Sequence, residues 1–90
     1  MATLTLSSNK AERDSGGQTI GIHYDGGRTS PLPPERQEIR TAADAQAAFS
    51  AYAEKVKATG KPACVSAILA RGHRAPSGFR KLKLTEFVNV

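Results

Sequence analysis

The chain has a single cysteine, Cys64, among its 90 residues. A lone cysteine can form neither an internal disulfide nor a cysteine-based zinc site, and it suits a reducing compartment. No apolar run approaches the ~18 residues needed to span a bilayer. The N-terminus also lacks the positively charged start and apolar stretch of a signal peptide. We therefore expect a cytoplasmic protein with no membrane partner.

Groupings of catalytic or metal-binding side chains are also scarce. The two histidines, His23 and His73, are far apart in the sequence, and neither lies in a carboxylate pattern with metal-ligand spacing. A metal-free nuclease could use them as general acid and base with Arg74 stabilising the developing charge, but their spacing does not bring them together. We therefore expect a non-enzymatic protein with no cofactor and no metal.

The length of 90 residues allows one small domain. Alanine accounts for 14 of the apolar residues, so the larger apolar side chains suffice for one two-layer core. The sequence therefore predicts a single domain, residues 1–90.

The first part of the chain predicts two strands and a linker. Residues 2–7 and 18–24 alternate apolar and polar side chains, which is typical of half-buried strands. Residues 8–17 are polar and predict a loop. Residues 28–40 predict a stiff, extended linker, because closely spaced prolines fix φ and remove backbone donors. The prolines are Pro31, Pro33 and Pro34.

The strongest local signal is a helix over residues 42–59. Thr41 is suited to the N-cap, and Asp44 follows three residues later, as in a capping box. Gly60 ends the helix. Four apolar residues at spacings of 4, 3 and 4 predict its buried face. They are Ala45, Phe49, Tyr52 and Val56.

Two further strands follow the helix. Residues 63–70 are small or apolar throughout, which predicts a central strand covered on both faces, with Cys64 buried and inert. Residues 81–90 alternate, but the register turns Glu86 inward and Phe87 outward. We therefore expect a bulge or an edge twist at that point.

A short polar connection between these two strands favours antiparallel pairing, so residues 63–90 predict a C-terminal β-hairpin. The element order is ββαββ. This order predicts an α+β, two-layer domain with about four mostly antiparallel strands and one helix packed on one face.

The positive charge lies mainly in the C-terminal hairpin. The chain carries a net charge of +5, but residues 1–70 hold 8 basic and 7 acidic side chains, whereas residues 71–90 hold five basic and one acidic. Such a cluster suits phosphates, because each neutralised phosphate releases counterions. Lys81 and Lys83 are expected to share a strand face, with Arg71 and Arg74 across the hairpin.

We therefore expect this hairpin to contact nucleic acid or a nucleoprotein complex. Its loop could reach into a groove as a β-ribbon does, or form an ordinary flexible tip. His73 and Phe79 are candidate base contacts. The candidate binding residues are Arg71, His73, Arg74, Phe79, Arg80, Lys81 and Lys83.

Other interpretations of the same features stay open. The charge also suits an acidic protein surface, or solubility and protection of a sheet edge. Small domains without catalytic groups are typical of phage and mobile-element accessories, including anti-CRISPR proteins, so an inhibitor or adaptor is the alternative function. Residues 31–36 match a P-x-x-P-x-R ligand pattern, which a rigid linker explains equally. A homodimer could form through an edge strand, either residues 81–90 or residues 2–6.

Overall fold

The computed structural model describes residues 2–13, 19–23, 30–72 and 74–89. In these residues, five strands form one antiparallel sheet, and one α-helix packs against it. This arrangement confirms the predicted α+β class. The elements are β1 (Ala2–Arg13), β2 (Thr19–His23), β3 (Glu35–Ile39), α1 (Ala42–Ala58), β4 (Ala63–Leu69) and β5 (Thr85–Val88). The described residues contain no helix that is both long and apolar enough to cross a bilayer.

Strand β1 lies at the centre of the sheet. On one side it pairs with β4, beyond which β5 forms the edge. On the other side its first half pairs with β3 and its last residues pair with β2. Residues 2–6 therefore pair with β3, and residues 4–6 pair with β4 as well, so the prediction that residues 2–6 offer an edge for dimerisation is wrong.

The core lies between the sheet and α1. Leu4, Leu6 and Val65 are fully buried on the sheet side, and Tyr52 and Val56 are buried on the helix side. The helical face predicted from the apolar spacing is confirmed, since Ala45 and Phe49 are buried as well.

The predicted start and end signals of α1 are both present. Thr41 is the N-cap and forms a capping box with Asp44. The helix ends at Ala58, one residue earlier than predicted, and Gly60 follows with a φ of +73°. A positive φ favours glycine, which explains why the chain turns there.

Strand β1 is longer than predicted. It continues through the polar stretch that was expected to be a loop and ends at Arg13. Ser8 and Asn9 pair with Val65 and Cys64 of β4. Because small polar residues can take a buried sheet position when they are hydrogen-bonded, Ser8 keeps the alternation although its side chain gives no hydrophobic signal.

The predicted linker contains a strand. Its second half is β3, whose Glu35–Ile39 pair with Leu6–Ala2 of β1. Within residues 28–40 the prolines all precede this strand, at positions where backbone donors are not needed for the ladder. The sequence of β3 is mostly polar because, with the exception of Ile39, its side chains are not buried.

The C-terminal strands pair antiparallel as predicted, but three details differ. β5 begins at Thr85, so residues 81–84 are not in the strand. The β4–β5 register is regular, without the expected bulge, and Glu86 is accommodated by an ion pair with Lys57 at 3.6 Å. Cys64 is buried as predicted, but Ile68 on the same face of β4 is 63% exposed, so β4 is not covered along both faces.

Candidate functional site

The described residues between β4 and β5 form an irregular excursion that contains a 3₁₀ turn. We call residues 71–83 the basic segment. It leaves the sheet where the Ala70 N–H donates to the Thr3 carbonyl (2.8 Å). It returns through a 3₁₀ turn, Phe79–Lys81, held by hydrogen bonds from Phe79 N–H to Pro76 O (3.1 Å) and from Leu82 N–H to Phe79 O (3.1 Å). The described part of this segment therefore has defined backbone positions for its cations.

The 3₁₀ turn lies against the beginning of α1. Gly78 precedes it with a φ of +84°, and a Cβ built on this glycine would lie 3.7 Å from the Ala42 Cβ. Phe79 and Leu82 are partly buried and pack against the core. These contacts hold the basic segment at the N-terminal end of the helix.

The cations of the basic segment have no described acidic partner. Every described ion pair lies elsewhere: Lys55 pairs with Glu35, and Lys57 pairs with Glu54 and Glu86. The five cations are exposed, and none forms an ion pair with another described residue. Their charge is therefore available to an anionic partner. They are Arg71, Arg74, Arg80, Lys81 and Lys83.

Three of these cations line one open pocket. Arg74, Arg80 and Lys81 surround a volume of about 390 Å³, together with Pro76 and Phe79. Two guanidinium groups and one ammonium group thus share a concave surface with an apolar part. Guanidinium groups can donate two parallel hydrogen bonds to phosphate or carboxylate oxygens.

A further cation, Arg40, joins this cluster from outside the basic segment. Arg40 and Arg74 line a neighbouring pocket of about 230 Å³ with Ala2, Ile39 and Pro76. Arg40 lies in the predicted linker and was not among the predicted site residues. No local pattern signals it, because the proximity depends on β3 pairing with β1 and on the basic segment folding back. We call Arg40, Arg74, Arg80 and Lys81 the basic cluster.

The first turn of α1 is already capped beside this cluster. The Thr41 Oγ1 accepts from the Asp44 N–H (3.2 Å), and the Asp44 carboxylate accepts from the N–H groups of Thr41 (3.1 Å) and Arg40 (3.0 Å). These backbone hydrogen bonds lower the pKa of Asp44. The capping box already engages the N–H groups of Arg40, Thr41 and Asp44. An anion bound here would therefore be held mainly by the cationic side chains of the cluster.

The remaining predicted site residues either contribute less to the two pockets or lie outside the described residues. Arg71 and Lys83 are exposed but do not line the two pockets. Phe79 lines the larger pocket, although part of its ring packs against the core, which reduces the surface that a base could stack on. His73 lies outside the described residues.

The described residues offer little to a catalytic mechanism. They contain no group of three metal-ligating side chains. The interpretation as a two-histidine nuclease depends on His23 and His73. The side chain of His23 and the whole of His73 lie outside the part of the chain that the structure describes. Burial raises the pKa of the Cys64 thiol and so disfavours the reactive thiolate.

Comparison of the chain with protein-family models, with curated proteins and with solved structures finds no match. What this surface does is therefore inferred from its geometry and charge.

Proposed function

We propose that this protein is a non-enzymatic binding protein that contacts nucleic acid, alone or in a nucleoprotein complex, through the basic cluster. The observation that carries the proposal is the convergence of Arg40, Arg74, Arg80 and Lys81 on two adjoining pockets, with Arg74 lining both. None of the four forms an ion pair with another described residue. The proposal keeps the cytoplasmic location expected from the sequence.

Phosphates are the ligands that suit this cluster best. Each phosphate that a cation neutralises releases counterions, which supplies most of the affinity in non-specific nucleic-acid binding. Four cations spread over two open pockets match successive phosphates of a chain better than they match one small anion. Phosphate contacts fix position and carry no sequence information, so this cluster alone predicts little sequence preference.

An acidic protein could bind the same cations, but we expect the binding free energy to be smaller. Exposed ion pairs contribute about 0–1 kcal/mol each. The strongest contacts of protein interfaces are aromatic and arginine side chains that become buried at the centre of the contact. The cluster supplies arginines for such a centre, but an aromatic anchor would have to complete it. The aromatic residue in this pocket, Phe79, is partly committed to the core. Nucleic acid is therefore the better-supported partner, and the inhibitor or adaptor is the competing outcome of the experiment below.

The test is the affinity for labelled mixed-sequence oligonucleotides, measured by fluorescence anisotropy at low salt. We expect Arg74→Ala and Lys81→Ala each to weaken binding several-fold, because each removes one phosphate contact. Lys61→Ala is the matched control. It removes the same charge after the C-terminal end of α1, roughly 25 Å away at 1.5 Å per residue.

Three results would contradict the proposal. The first is the absence of binding to any oligonucleotide at low salt. The second is an equal loss of affinity in Lys61→Ala and Arg74→Ala, which would mean that only net charge matters. The third is a protein partner that is captured from lysate, survives nuclease treatment and is lost in Arg74→Ala, since this would favour the inhibitor.

A further inference from the structure

The sheet has a second face that the described elements leave partly open: Cys64 lies on it and is buried, whereas Ile68 and Phe87 on the same face are exposed. α1 packs on one face, and the described residues place no second layer on the other. The two large hydrophobic side chains that are exposed in the described structure both lie on this open face. Ile68 is 63% exposed and Phe87 is 43% exposed. Phe87 is opposite Cys64, which is four residues from Ile68 on β4 and therefore points the same way.

Lys83 of the basic segment reaches this face. The Ala67 N–H donates to the Leu84 carbonyl (3.0 Å), which continues the β4–β5 register one residue beyond β5. The next pair in that register is Ile68 and Lys83. Since Leu84 packs against the core, its neighbour Lys83 points to the open face.

A cation also lies at the other end of the same row. Thr5 is opposite Ile68 on one side and Arg36 on the other. The row therefore runs from Arg36 through Thr5 and Ile68 to Lys83. Ile68 therefore has an exposed cation, Lys83, beside it and a second, Arg36, two strands away beyond Thr5. Glu38 lies two residues from Arg36 on the same face.

The rows between Ile68 and Phe87 carry hydroxyl groups. Ser7 and Ser66 lie opposite one another, with their Oγ atoms 3.2 Å apart, and Thr85 is opposite Ser66. At about 3.3 Å per residue and 4.8 Å between strands, Ile68 and Phe87 are roughly 14 Å apart. The two apolar side chains are too far apart for one base to contact both.

We propose that this open face binds single-stranded nucleic acid, with bases stacked on Phe87 and against Ile68. Lys83 and Arg36 would contact the phosphates of the same strand. This inference rests on the proposed function and adds the class of substrate. Unpaired bases have π-faces that stack on aromatic side chains, whereas the bases of a duplex are already stacked on one another.

A second copy of this chain suits the face less well. Protein interfaces bury about 800 Å² per partner around a core that is depleted of charge. Here two large apolar side chains lie among hydroxyl groups, and a two-fold contact centred on Ile68 would bring Lys83 and Arg36 of one copy close to Arg36 and Lys83 of the other. The complementarity is therefore to an anionic strand.

Phe87→Trp gives a direct test, because the natural sequence contains no tryptophan. The variant has a single indole fluorophore on the open face. We expect its fluorescence to be quenched when a single strand is added and to change little with a duplex of the same sequence. We also expect Phe87→Ala to weaken single-strand binding about tenfold, as stacking energies per base imply, and to leave duplex binding unchanged. Gln37→Ala, another exposed position in the sheet, is the control for both affinities.

Each other outcome overturns the inference in a distinguishable way. Equal affinity for the single strand and the duplex, unchanged in Phe87→Ala, refutes the stacking surface and leaves the basic cluster as the binding site. Binding of neither form refutes the proposed function and this inference together. A dimer of the natural protein that Phe87→Ala dissociates, with no quenching by single strands, means that a second copy covers the face. The thermal unfolding midpoint of each variant, compared with that of the natural protein, verifies that it is folded.

Discussion

Tyr52 joins three parts of the chain through one oxygen atom. Its hydroxyl lies 3.2 Å from the Ser8 Oγ of β1, and it donates to the Pro33 carbonyl (3.1 Å) or, in a longer contact, to the Leu32 carbonyl (3.5 Å). The ring is buried in the core. These hydrogen bonds connect the proline-containing segment to both the helix and the sheet. They also engage carbonyl groups of Leu32 and Pro33 that a proline-rich ligand would offer to a partner.

We predict that Tyr52→Phe lowers the free energy of unfolding by about 1 kcal/mol, the usual contribution of a hydrogen bond. Urea unfolding measures this difference. Burial raises the pKa of Tyr52. Because the folded state holds this proton more tightly, the contribution is complete below the unfolded pKa of about 10 and is lost as pH rises above it. A constant difference between the natural protein and the variant from pH 7 to pH 11 would contradict this assignment.

The sequence predicted that Tyr52 is buried but not what its hydroxyl binds. Helical spacing places Tyr52 on the core face, and this is a local property. Its partner Ser8 lies 44 residues away, in a stretch whose polarity predicted a loop. Arg40 was missed for the same reason, since its proximity to Arg74 follows from strand pairing rather than from neighbouring residues.

Among the elements, α1 followed from the sequence most completely. Its N-cap, its apolar stripe and its terminal glycine are all encoded within about four residues of where they act. The strands did not follow as well. β3 was not predicted because most of its side chains are exposed. The second half of β1 was not predicted because it is mostly polar, and Ser8, which takes the next buried position, gives no hydrophobic signal.

The capping box makes the stability of α1 depend on pH. Asp44 has a lowered pKa, so its stabilising contribution is present above the unfolded pKa of about 3.9 and is lost as pH falls through the lower folded value. We predict that Asp44→Asn is less stable than the natural protein at pH 7. The difference should shrink as the pH falls towards 2.

Urea unfolding at several pH values measures this effect. Glu54→Gln is the control, because Glu54 is an exposed carboxylate beyond the first turn of the same helix. A deficit of Asp44→Asn that does not change with pH would contradict the role given to the carboxylate, as would an equal deficit in Glu54→Gln.

At the scale of the whole molecule, β1 connects the sheet. It pairs with β2, β3 and β4 and supplies Leu4 and Leu6 to the core. Because the core between the sheet and α1 contains few large apolar side chains, the loss of one removes a substantial part of the hydrophobic contact. Disturbing the centre of this core should therefore affect every element at once.

We predict that Leu6→Ala lowers the free energy of unfolding by roughly 2–5 kcal/mol, the range for removing a fully buried leucine. Circular dichroism of the helix and solvent exposure of Cys64 should report the same shifted transition in urea, because unfolding of a small domain is cooperative. Transitions that separate between the two probes would show that the helix and the sheet unfold independently.

The excess positive charge is concentrated in one part of the sequence, and the fold brings several of these cations together on the surface. Most of the excess positive charge lies in residues 71–90, and the described part of the basic segment brings Arg74, Arg80 and Lys81 to one pocket. The expected placement of Lys81 and Lys83 on one strand face, with Arg71 and Arg74 across the hairpin, is wrong. Residues 81–84 are not in a strand, and the segment folds back on the start of α1. This fold is what adds Arg40 to the cluster.

The most direct test of the basic cluster is the salt dependence of oligonucleotide binding. Each phosphate contact contributes about −0.7 to −0.9 to the slope of log K against log salt concentration. We predict that the Arg74→Ala/Lys81→Ala double variant has a slope shallower than that of the natural protein by roughly 1.4 to 1.8, whereas Lys61→Ala keeps the full slope. A double variant with an unchanged slope would contradict the assignment of these side chains to phosphate binding.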